Sequence, residues 1–214
     1  MITVAPRISR ALRSVLLNTY APNESKPREP NVVYPSLVSR CPYEIAYKLK
    51  RGTPSDKARG YFAIGNILHE SLQSAIRAQS EVSVRFSIDN IAIHGRIDVI
   101  INGYPYEIKT CTRLPEKPNY KHVHQLNIYT HILGKKYGYL VYVEKPTLRV
   151  KVFRVDHSSR MFQMDVNNFK LAISENPPKK SGWWCTYCPL NRECKGGVLN
   201  DNVRRERPEG SQSN

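Results

Sequence analysis

Apolar and polar residues alternate with two different periods along the chain, and each period predicts one type of element. Apolar residues three or four positions apart predict four helices in the body of the chain, at residues 36–50, 61–79, 121–133 and 158–174. Strand-like alternation predicts three stretches of β-structure, within residues 82–110, 137–144 and 148–155. This order of elements predicts an α/β fold with a central mixed sheet flanked by helices.

The first 22 residues carry a further amphipathic pattern. Its apolar positions are Ile8, Leu12, Val15 and Leu16. We interpret the pattern as a helix packed on the domain, although an arginine-rich start with no acid before Glu24 is also typical of an organelle transit peptide. The expected segments are an N-terminal helix with a Pro-rich connector, a main domain and a polar tail, at residues 1–33, 34–194 and 195–214.

The chain is strongly basic, with 33 Lys and Arg residues against 18 Asp and Glu residues and a net charge of +15. Such a surface favours a polyanion, so nucleic acid is the partner class that we expect first. No apolar run is long enough to span a membrane, and the start lacks the pattern of an export signal. We therefore expect a cytoplasmic protein without a membrane partner, and a homo-oligomer is one of the assemblies left open.

Asn102 and Gly103 predict a β-hairpin, because both tolerate the positive φ that a two-residue type I′ turn requires. Such a turn pairs residues whose numbers sum to 205, and this register would set Asp98 opposite Glu107. Two facing carboxylates repel each other unless a cation neutralises them. Hard oxygen ligands of this kind suit Mg²⁺ or Mn²⁺.

Lys109 lies two residues after Glu107 and is therefore expected on the same face of the strand. A divalent metal polarises a phosphate oxygen and lowers the pKa of water, while a lysine ammonium offsets charge on the phosphorus. The three residues thus predict hydrolysis of a phosphodiester bond. The alternative is a solvated strand face on which the acids form ion pairs with Arg96 and Lys109.

Three residues on two predicted helices are candidates to complete this site. His69 follows Gly65 by about one turn and can bring an imidazole to a metal, although a helical histidine is more often a packed or surface residue. Gln125 and Tyr129 share a helix face and can bind phosphate oxygens or metal waters. Taken alone, that pair would be an ordinary half-buried face.

The five cysteines predict a metal site rather than disulfides, because three of them lie within ten residues near the end of the chain. A fourth thiolate must come from Cys41 or Cys111. Cys111 continues the strand face of Glu107, so we assign Cys41. The predicted ligands are Cys41, Cys185, Cys188 and Cys194. Ligand chemistry alone leaves zinc and an iron–sulfur cluster about equal.

Four short motifs occur in order along the chain: Gly65-x3-His69, Gly95-Arg96-Ile97-Asp98, Glu107-Ile108-Lys109 and Gln125-x3-Tyr129. Their order and spacing resemble the RecB-like branch of the PD-(D/E)XK nucleases. One early and three late cysteines around these motifs are similar to the CRISPR-associated exonuclease family Cas-four, over residues 34–194. The resemblance implies a restriction-endonuclease-like core and a small cysteine-ligated module that joins the N- and C-terminal segments.

The resemblance also implies a role for each motif residue. The implied metal ligands are His69, Asp98, Glu107 and the carbonyl of Ile108, for Mn²⁺ or Mg²⁺. The implied catalytic group is Lys109 with Asp98 and Glu107, supported by Gln125 and Tyr129. The four cysteines are implied to hold a 4Fe-4S cluster with a structural role.

Members of the Cas-four family degrade single-stranded DNA, often from a 5′ end, and trim or select fragments for the CRISPR integrase. The expected function is therefore a metal-dependent DNA exonuclease, with endonuclease activity also open. It would act in CRISPR spacer acquisition with the integrase complex as partner or, for a viral homologue, in genome processing. One rival is a non-catalytic DNA-binding adaptor that carries zinc or a cluster, and another is an RNA-processing enzyme. Trp183 and Trp184 are candidates to stack on unpaired bases, although packing around the cysteine site is the more frequent role.

Overall fold

A computed structural model describes residues 13–15, 17, 19, 29, 31–50, 56–75, 78–188, 190, 191 and 194. The helices are α1 (Pro42–Lys50), α2 (Asp56–Ala75), α3 (Tyr120–Ile132) and α4 (Ser159–Ile173), with short 3-10 helices at Pro35–Leu37 and Trp183–Tyr187. The strands are β1 (Val32–Val33), β2 (Gln79–Ile88), β3 (Ile91–Ile101), β4 (Tyr104–Cys111), β5 (Tyr137–Glu144) and β6 (Val150–Asp156). None of the helices in these ranges is long and apolar enough to cross a membrane.

The chain divides into two compact units. The first contains α2 and the described residues near the N-terminus, and Leu17 packs with Ala63 in its interior. Residues 13–15, 17 and 19 are helical, in line with the N-terminal pattern. Val15, however, is 61% exposed, whereas Leu17 is buried. The prediction of a buried Val15 is therefore wrong, while Ile8, Leu12 and Leu16 lie outside the described residues.

The second unit contains a six-stranded mixed sheet, which confirms the predicted central sheet. β2 pairs antiparallel with β3 along almost all of its length, β4 pairs parallel with β5, and β5 pairs antiparallel with β6. β1 lies parallel beside the first half of β3. β4 pairs antiparallel with only the last three residues of β3. Since β2 occupies one edge of β3, β1 and β4 share the other edge.

Helices α1, α3 and α4 and strands β1 and β3 share one apolar core. Its fully buried members are Val33, Ile45, Ile93, Ile128, Val166 and Phe169. A second cluster joins Leu126 of α3 to Leu140 and Tyr142 of β5. Helix α3 is thereby held against both halves of the sheet, and this contact fixes the position of its polar residues.

The start of α1 was predicted wrongly. The helix begins at Pro42, not at Ser36, and Pro35–Leu37 forms a separate 3-10 turn. Proline lacks an N–H and disfavours helical geometry in the preceding residue, so it occupies a first helical position far more readily than an internal one. The N–H groups of Glu44 and Ile45 donate to the Cys41 carbonyl, which places Cys41 directly at the start of the helix.

Other predicted bounds agree closely with the structure. β5 spans the predicted residues, and α4 begins after Ser158, whose side chain accepts from the N–H of Met161. Helix α2 starts five residues and ends four residues earlier than predicted, and Gln79 belongs to β2 instead. These differences do not move any of the motif residues out of its predicted element.

Candidate active site and cysteine site

The β3–β4 hairpin has the predicted turn and register. Asn102 and Gly103 have φ values of 51° and 79°, as a type I′ turn requires. Three residue pairs form this ladder, from Ile101 with Tyr104 to Val99 with Tyr106, so paired numbers sum to 205. The ladder then ends, and the expectation that Asp98 and Glu107 continue it as a strand pair is wrong.

Where the ladder ends, the side chain of Asp98 replaces a backbone carbonyl as hydrogen-bond acceptor. The N–H of Ile108 donates to Asp98 Oδ2 at 2.7 Å, whereas continued pairing would direct it to the carbonyl of Ile97. Asp98 is 8% exposed and Glu107 is 1% exposed. Both acids are thus inside the protein, so the strand face is not solvated, although the ion pair of Glu107 with Lys109 that the alternative predicts is present.

The Lys109 ammonium interacts electrostatically with both Asp98 and Glu107. Its Nζ lies 2.6 Å from Glu107 Oε1. Burial alone would lower the pKa of Lys109, but the charges of Glu107 and Asp98 outweigh burial and raise it. Burial raises the pKa of Asp98 to about 6, against the opposing effects of Lys109 and the Ile108 N–H. The site therefore holds two buried carboxylates and one ammonium, with a net negative charge when all three are ionised.

Helix α3 places Gln125 and Tyr129 at the same site. The Tyr129 hydroxyl donates to the carbonyl of Arg96 at 3.1 Å and is hydrogen-bonded by Gln125. Burial, followed by the charge of Glu107, raises the pKa of Tyr129. Because its hydroxyl is engaged by these partners, Tyr129 holds the backbone of β3 two residues before Asp98.

The glycine of the Gly95-Arg96-Ile97-Asp98 motif has a steric explanation. A Cβ at Gly95 would lie 2.6 Å from Tyr129 Cε1 and 3.2 Å from Pro35 Cγ. Only a residue without a side chain lets the Tyr129 ring approach β3 this closely. The motif therefore links the glycine of one strand to the tyrosine of a helix 34 residues later.

His122 also lies near this site, and the sequence predictions missed it. It precedes Gln125 by three positions and Tyr129 by seven, a spacing that puts all three on one helix face. Its Nδ1 lies 2.8 Å from the hydroxyl of Tyr142, which is the β5 partner of Lys109. Burial and the charges of Lys109 and Lys121 lower the pKa of His122 to about 3.

The structure does not complete a metal ligand set from side chains alone. Within the described part of the chain, which includes the four cysteines discussed below, no three His, Cys, Asp or Glu side chains are arranged around a single metal ion. The backbone of His69 belongs to α2, but its side chain lies outside the described residues. Asp98 and Glu107 are the buried acids whose charges both act on Lys109, and Asp98 also accepts from the backbone of Ile108.

The four cysteines assigned from the sequence line one cavity, which is also bordered by Glu44, Lys179, Lys180 and Trp184. Cys111 lies elsewhere, and its Sγ donates to the carbonyl of Val143 at 3.6 Å. The N–H of Lys180 donates to Cys41 Sγ at 3.4 Å. Cys41 thus lines the same cavity as the three cysteines near the end of the chain.

The thiols of this cavity affect one another. Burial, together with the charges of neighbouring cysteines, raises the pKa of Cys185 and of Cys188. Thiolates that share a buried site repel each other, and a bound cation relieves that repulsion.

Trp183 and Trp184 pack against Arg40, and Trp184 also lines the cysteine cavity. The Arg40 guanidinium lies 5.2 Å from the ring centroid of Trp183 and 5.5 Å from that of Trp184. Tyr120 contacts the same guanidinium at 5.5 Å. The interpretation of the two tryptophans as packing residues therefore agrees with the structure better than base stacking does.

Comparison with solved structures finds this fold in other proteins. The crystal structure of SSO0001 matches with a TM-score of 0.62 and 25% identity, over 90% of this chain and 98% of that chain. LHK-Exo in complex with dAMP matches with a TM-score of 0.50 and 13% identity, over 67% of this chain and 86% of that chain. A second LHK-Exo structure is described as an alkaline exonuclease from Laribacter hongkongensis, and it matches with a TM-score of 0.48 and 11% identity, over 68% and 87% of the two chains. No family model and no curated protein matches the chain.

The chain therefore shares its mixed α/β fold with SSO0001 and LHK-Exo, in agreement with the expected central mixed sheet flanked by helices. The site described above lies where the β3–β4 ladder ends.

Proposed function

We propose that this protein is a metal-dependent nuclease that hydrolyses phosphodiester bonds of single-stranded DNA. The observation that carries the proposal is the buried group of Asp98, Glu107 and Lys109 at the end of the β3–β4 ladder. The fold shared with LHK-Exo and the net charge of +15 support it, because a nuclease must attract a polyanion.

The donor set suits Mn²⁺ or Mg²⁺. Two carboxylates buried beside one ammonium leave negative charge in a low-dielectric site, and burial already raises the pKa of Asp98. Hard oxygen donors of this type are the ligands that these ions prefer. We propose Asp98 and Glu107 as ligands, with the Ile108 carbonyl and His69 added from the motif resemblance. When bound, the ion supplies Lewis acidity toward the phosphodiester.

The residues of the chain itself have separable tasks in this proposal. Lys109 stays protonated, because the two acids raise its pKa, and its ammonium offsets negative charge that develops on the phosphate. Asp98 holds β4 through the N–H of Ile108. Tyr129, supported by Gln125, holds β3 through the Arg96 carbonyl, so both acids are kept on fixed backbones.

For the second site, we propose that Cys41, Cys185, Cys188 and Cys194 hold a 4Fe-4S cluster. The four thiols line one cavity, and the mutual effect of their charges is what an iron cluster would relieve. The cluster would tie the start of α1 to the C-terminal segment, which closes a loop of well over a hundred residues. Its role is therefore structural, and zinc is the alternative that metal analysis distinguishes.

The biological assignment rests on the motif resemblance to the Cas-four family. We propose an exonuclease that acts from 5′ ends, with some endonuclease activity, and that trims fragments for the CRISPR integrase. This assignment makes the integrase complex the expected protein partner.

Cleavage of end-labelled strands tests the activity, the metal and the polarity together. Wild-type protein with Mn²⁺ is expected to cut single-stranded DNA from the 5′ end. Cleavage is expected to stop when EDTA is added, because EDTA removes the metal ion. Glu107→Gln and Asp98→Asn remove one charge each with little change of shape, and both are expected to abolish cutting. Asp156→Asn is the matched control, since Asp156 is an exposed acid of β6 that pairs with Arg154.

The proposal fails if the two site variants cut as fast as the control, or if wild-type protein does not cut with any divalent ion. A competition between labelled DNA and RNA in the same assay distinguishes the proposed DNA nuclease from an RNA-processing enzyme, which would cut the RNA preferentially.

A further inference from the structure

Two buried N–H groups beside the cysteine cavity have no acceptor in the part of the chain that the structure describes. They are Trp184 Nε1 and Arg40 Nε. Buried donors in folded proteins are almost always hydrogen-bonded, so an unsatisfied one indicates a partner that the protein alone does not provide. Trp184 lines the same cavity as the four cysteines, and Arg40 directly precedes Cys41.

The indole of Trp184 is held in place. A Cβ at Gly182 would lie only 2.2 Å from Cη2 of the Trp184 ring, so the ring packs on a residue that must be small. The Arg40 guanidinium lies 5.5 Å from the same ring, and Trp183 meets it edge-on at 6.0 Å. The position of the Trp184 N–H is therefore fixed by packing. Packing alone does not explain why this N–H is buried without an acceptor.

The cavity itself indicates the kind of acceptor. An indole nitrogen can only donate, and Glu44, the acid that lines the cavity, already receives Lys48, Lys121 and Ser39. Tyr43 and Asn191 also line the cavity and carry side-chain oxygens, and the four cysteine sulfurs are the most numerous side-chain acceptors there. Arg40 directly precedes Cys41 in the sequence, and its guanidinium interacts electrostatically with Asp165 as well as with the Trp184 ring.

We infer that the Trp184 N–H donates a hydrogen bond to a sulfur of the cluster held by the four cysteines, and that Arg40 places a positive charge beside it. This inference rests on the cluster of the proposed function. Hydrogen bonds and nearby positive charge stabilise the more negative, reduced form of an iron–sulfur cluster. Trp184 and Arg40 are thus positioning residues that make the cluster easier to reduce.

Anaerobically purified wild-type, Trp184→Phe and Trp183→Phe proteins test this. Phenylalanine keeps an aromatic ring and removes the N–H, and Trp183 is the matched control because it contacts Arg40 but does not line the cavity. At equal iron and sulfide content, the midpoint potential of Trp184→Phe is expected to shift to a lower value than that of wild type. The potential of Trp183→Phe is expected to stay near that of wild type.

A second measurement needs no variant. Hyperfine spectroscopy of the reduced wild-type cluster, with ¹⁵N in the tryptophan indoles, is expected to show a coupled nitrogen and an exchangeable proton. Equal potentials for all three proteins and no indole coupling would overturn the inference while leaving the cluster and the nuclease activity intact. Protein that contains zinc without iron or sulfide would overturn both the inference and the cluster, and DNA cleavage would still report on the nuclease site separately.

Discussion

The backbone N–H of Ile108 donates to the carboxylate of Asp98 across 2.7 Å, at the place where the pairing of their two strands has ended. One carboxylate oxygen therefore acts as the strand partner of β4. Asp98 has two tasks, since it shapes the hairpin and also provides charge to the candidate site.

These two tasks of Asp98 can be separated by substitution. Asp98→Asn keeps an oxygen that accepts from Ile108, so we expect stability close to that of wild type. Asp98→Ala removes this acceptor from a buried N–H and is expected to lower the free energy of unfolding by about 1–3 kcal/mol. Urea unfolding of the three proteins at pH 7 measures the difference, and equal stability of the Ala and Asn variants would show that the hydrogen bond does not matter.

Gly95 is expected to tolerate no side chain. Gly95→Ala puts a methyl group 2.6 Å from Tyr129 Cε1, and the shift that relieves this clash is expected to destabilise the protein by about 1–3 kcal/mol and to slow DNA cleavage. Gly60→Ala is the control, because nothing lies within 4 Å of a Cβ there and alanine favours the α2 helix by up to about 1 kcal/mol. Thermal unfolding that ranks the two variants the other way would contradict this account of the motif.

The hairpin shows what the sequence alone can predict. The turn follows from Asn102 and Gly103 themselves, and the register follows from the turn. The end of the ladder could not be predicted, because it depends on how Asp98 competes with a backbone carbonyl in three dimensions. In the same way, the need for glycine at residue 95 arises from Tyr129, which only the packing of α3 brings to β3.

The choice between two cysteines is also testable. Cys41 lines the cavity with the three late cysteines, whereas Cys111 lies on β4 with its Sγ near the Val143 carbonyl. We expect Cys41→Ser to lose most of its bound iron and to be less stable, and Cys111→Ser to retain both. Iron and acid-labile sulfide analysis of anaerobic preparations measures this, and the assignment of Cys41 is wrong if Cys111→Ser is the variant that loses metal.

His122 is expected to weaken the fold in acid. Its pKa is about 3 in the folded protein against 6.5 for an ordinary histidine, because burial and two lysines oppose its charge. The unfolded chain therefore takes up this proton first, so the contribution is complete above about pH 6.5 and is lost as pH falls toward 3.

The measurement compares wild type with His122→Gln, in which the amide can still bond to Tyr142. Between pH 7 and pH 4, wild type is expected to lose about 3 kcal/mol more of its free energy of unfolding than the variant. Urea unfolding curves at pH 7, 5.5 and 4 give this difference. Parallel losses in the two proteins would mean that His122 does not resist protonation.

Long-range partners explain most of what the sequence did not predict. Strand β1 has only two residues and is recognisable by its pairing with β3, not by any local pattern. Glu44 binds Lys121, 77 residues later, so this buried pair has no sequence signature. The true start of α1, by contrast, has a local cause: Pro42 disfavours helical geometry in the residue before it, and the predicted start at Ser36 neglects this effect.

Calorimetric titration with Mn²⁺ tests the central claim most directly, because it asks whether Asp98 and Glu107 share a cation. The protein is first freed of divalent ions while the metal at its cysteine site is retained. Wild type and the Asp156→Asn control are expected to bind Mn²⁺ equally. Asp98→Asn and Glu107→Gln are each expected to bind it at least about tenfold more weakly, as expected when a metal ligand is lost. Equal binding by all four proteins, or binding by none, would contradict the claim.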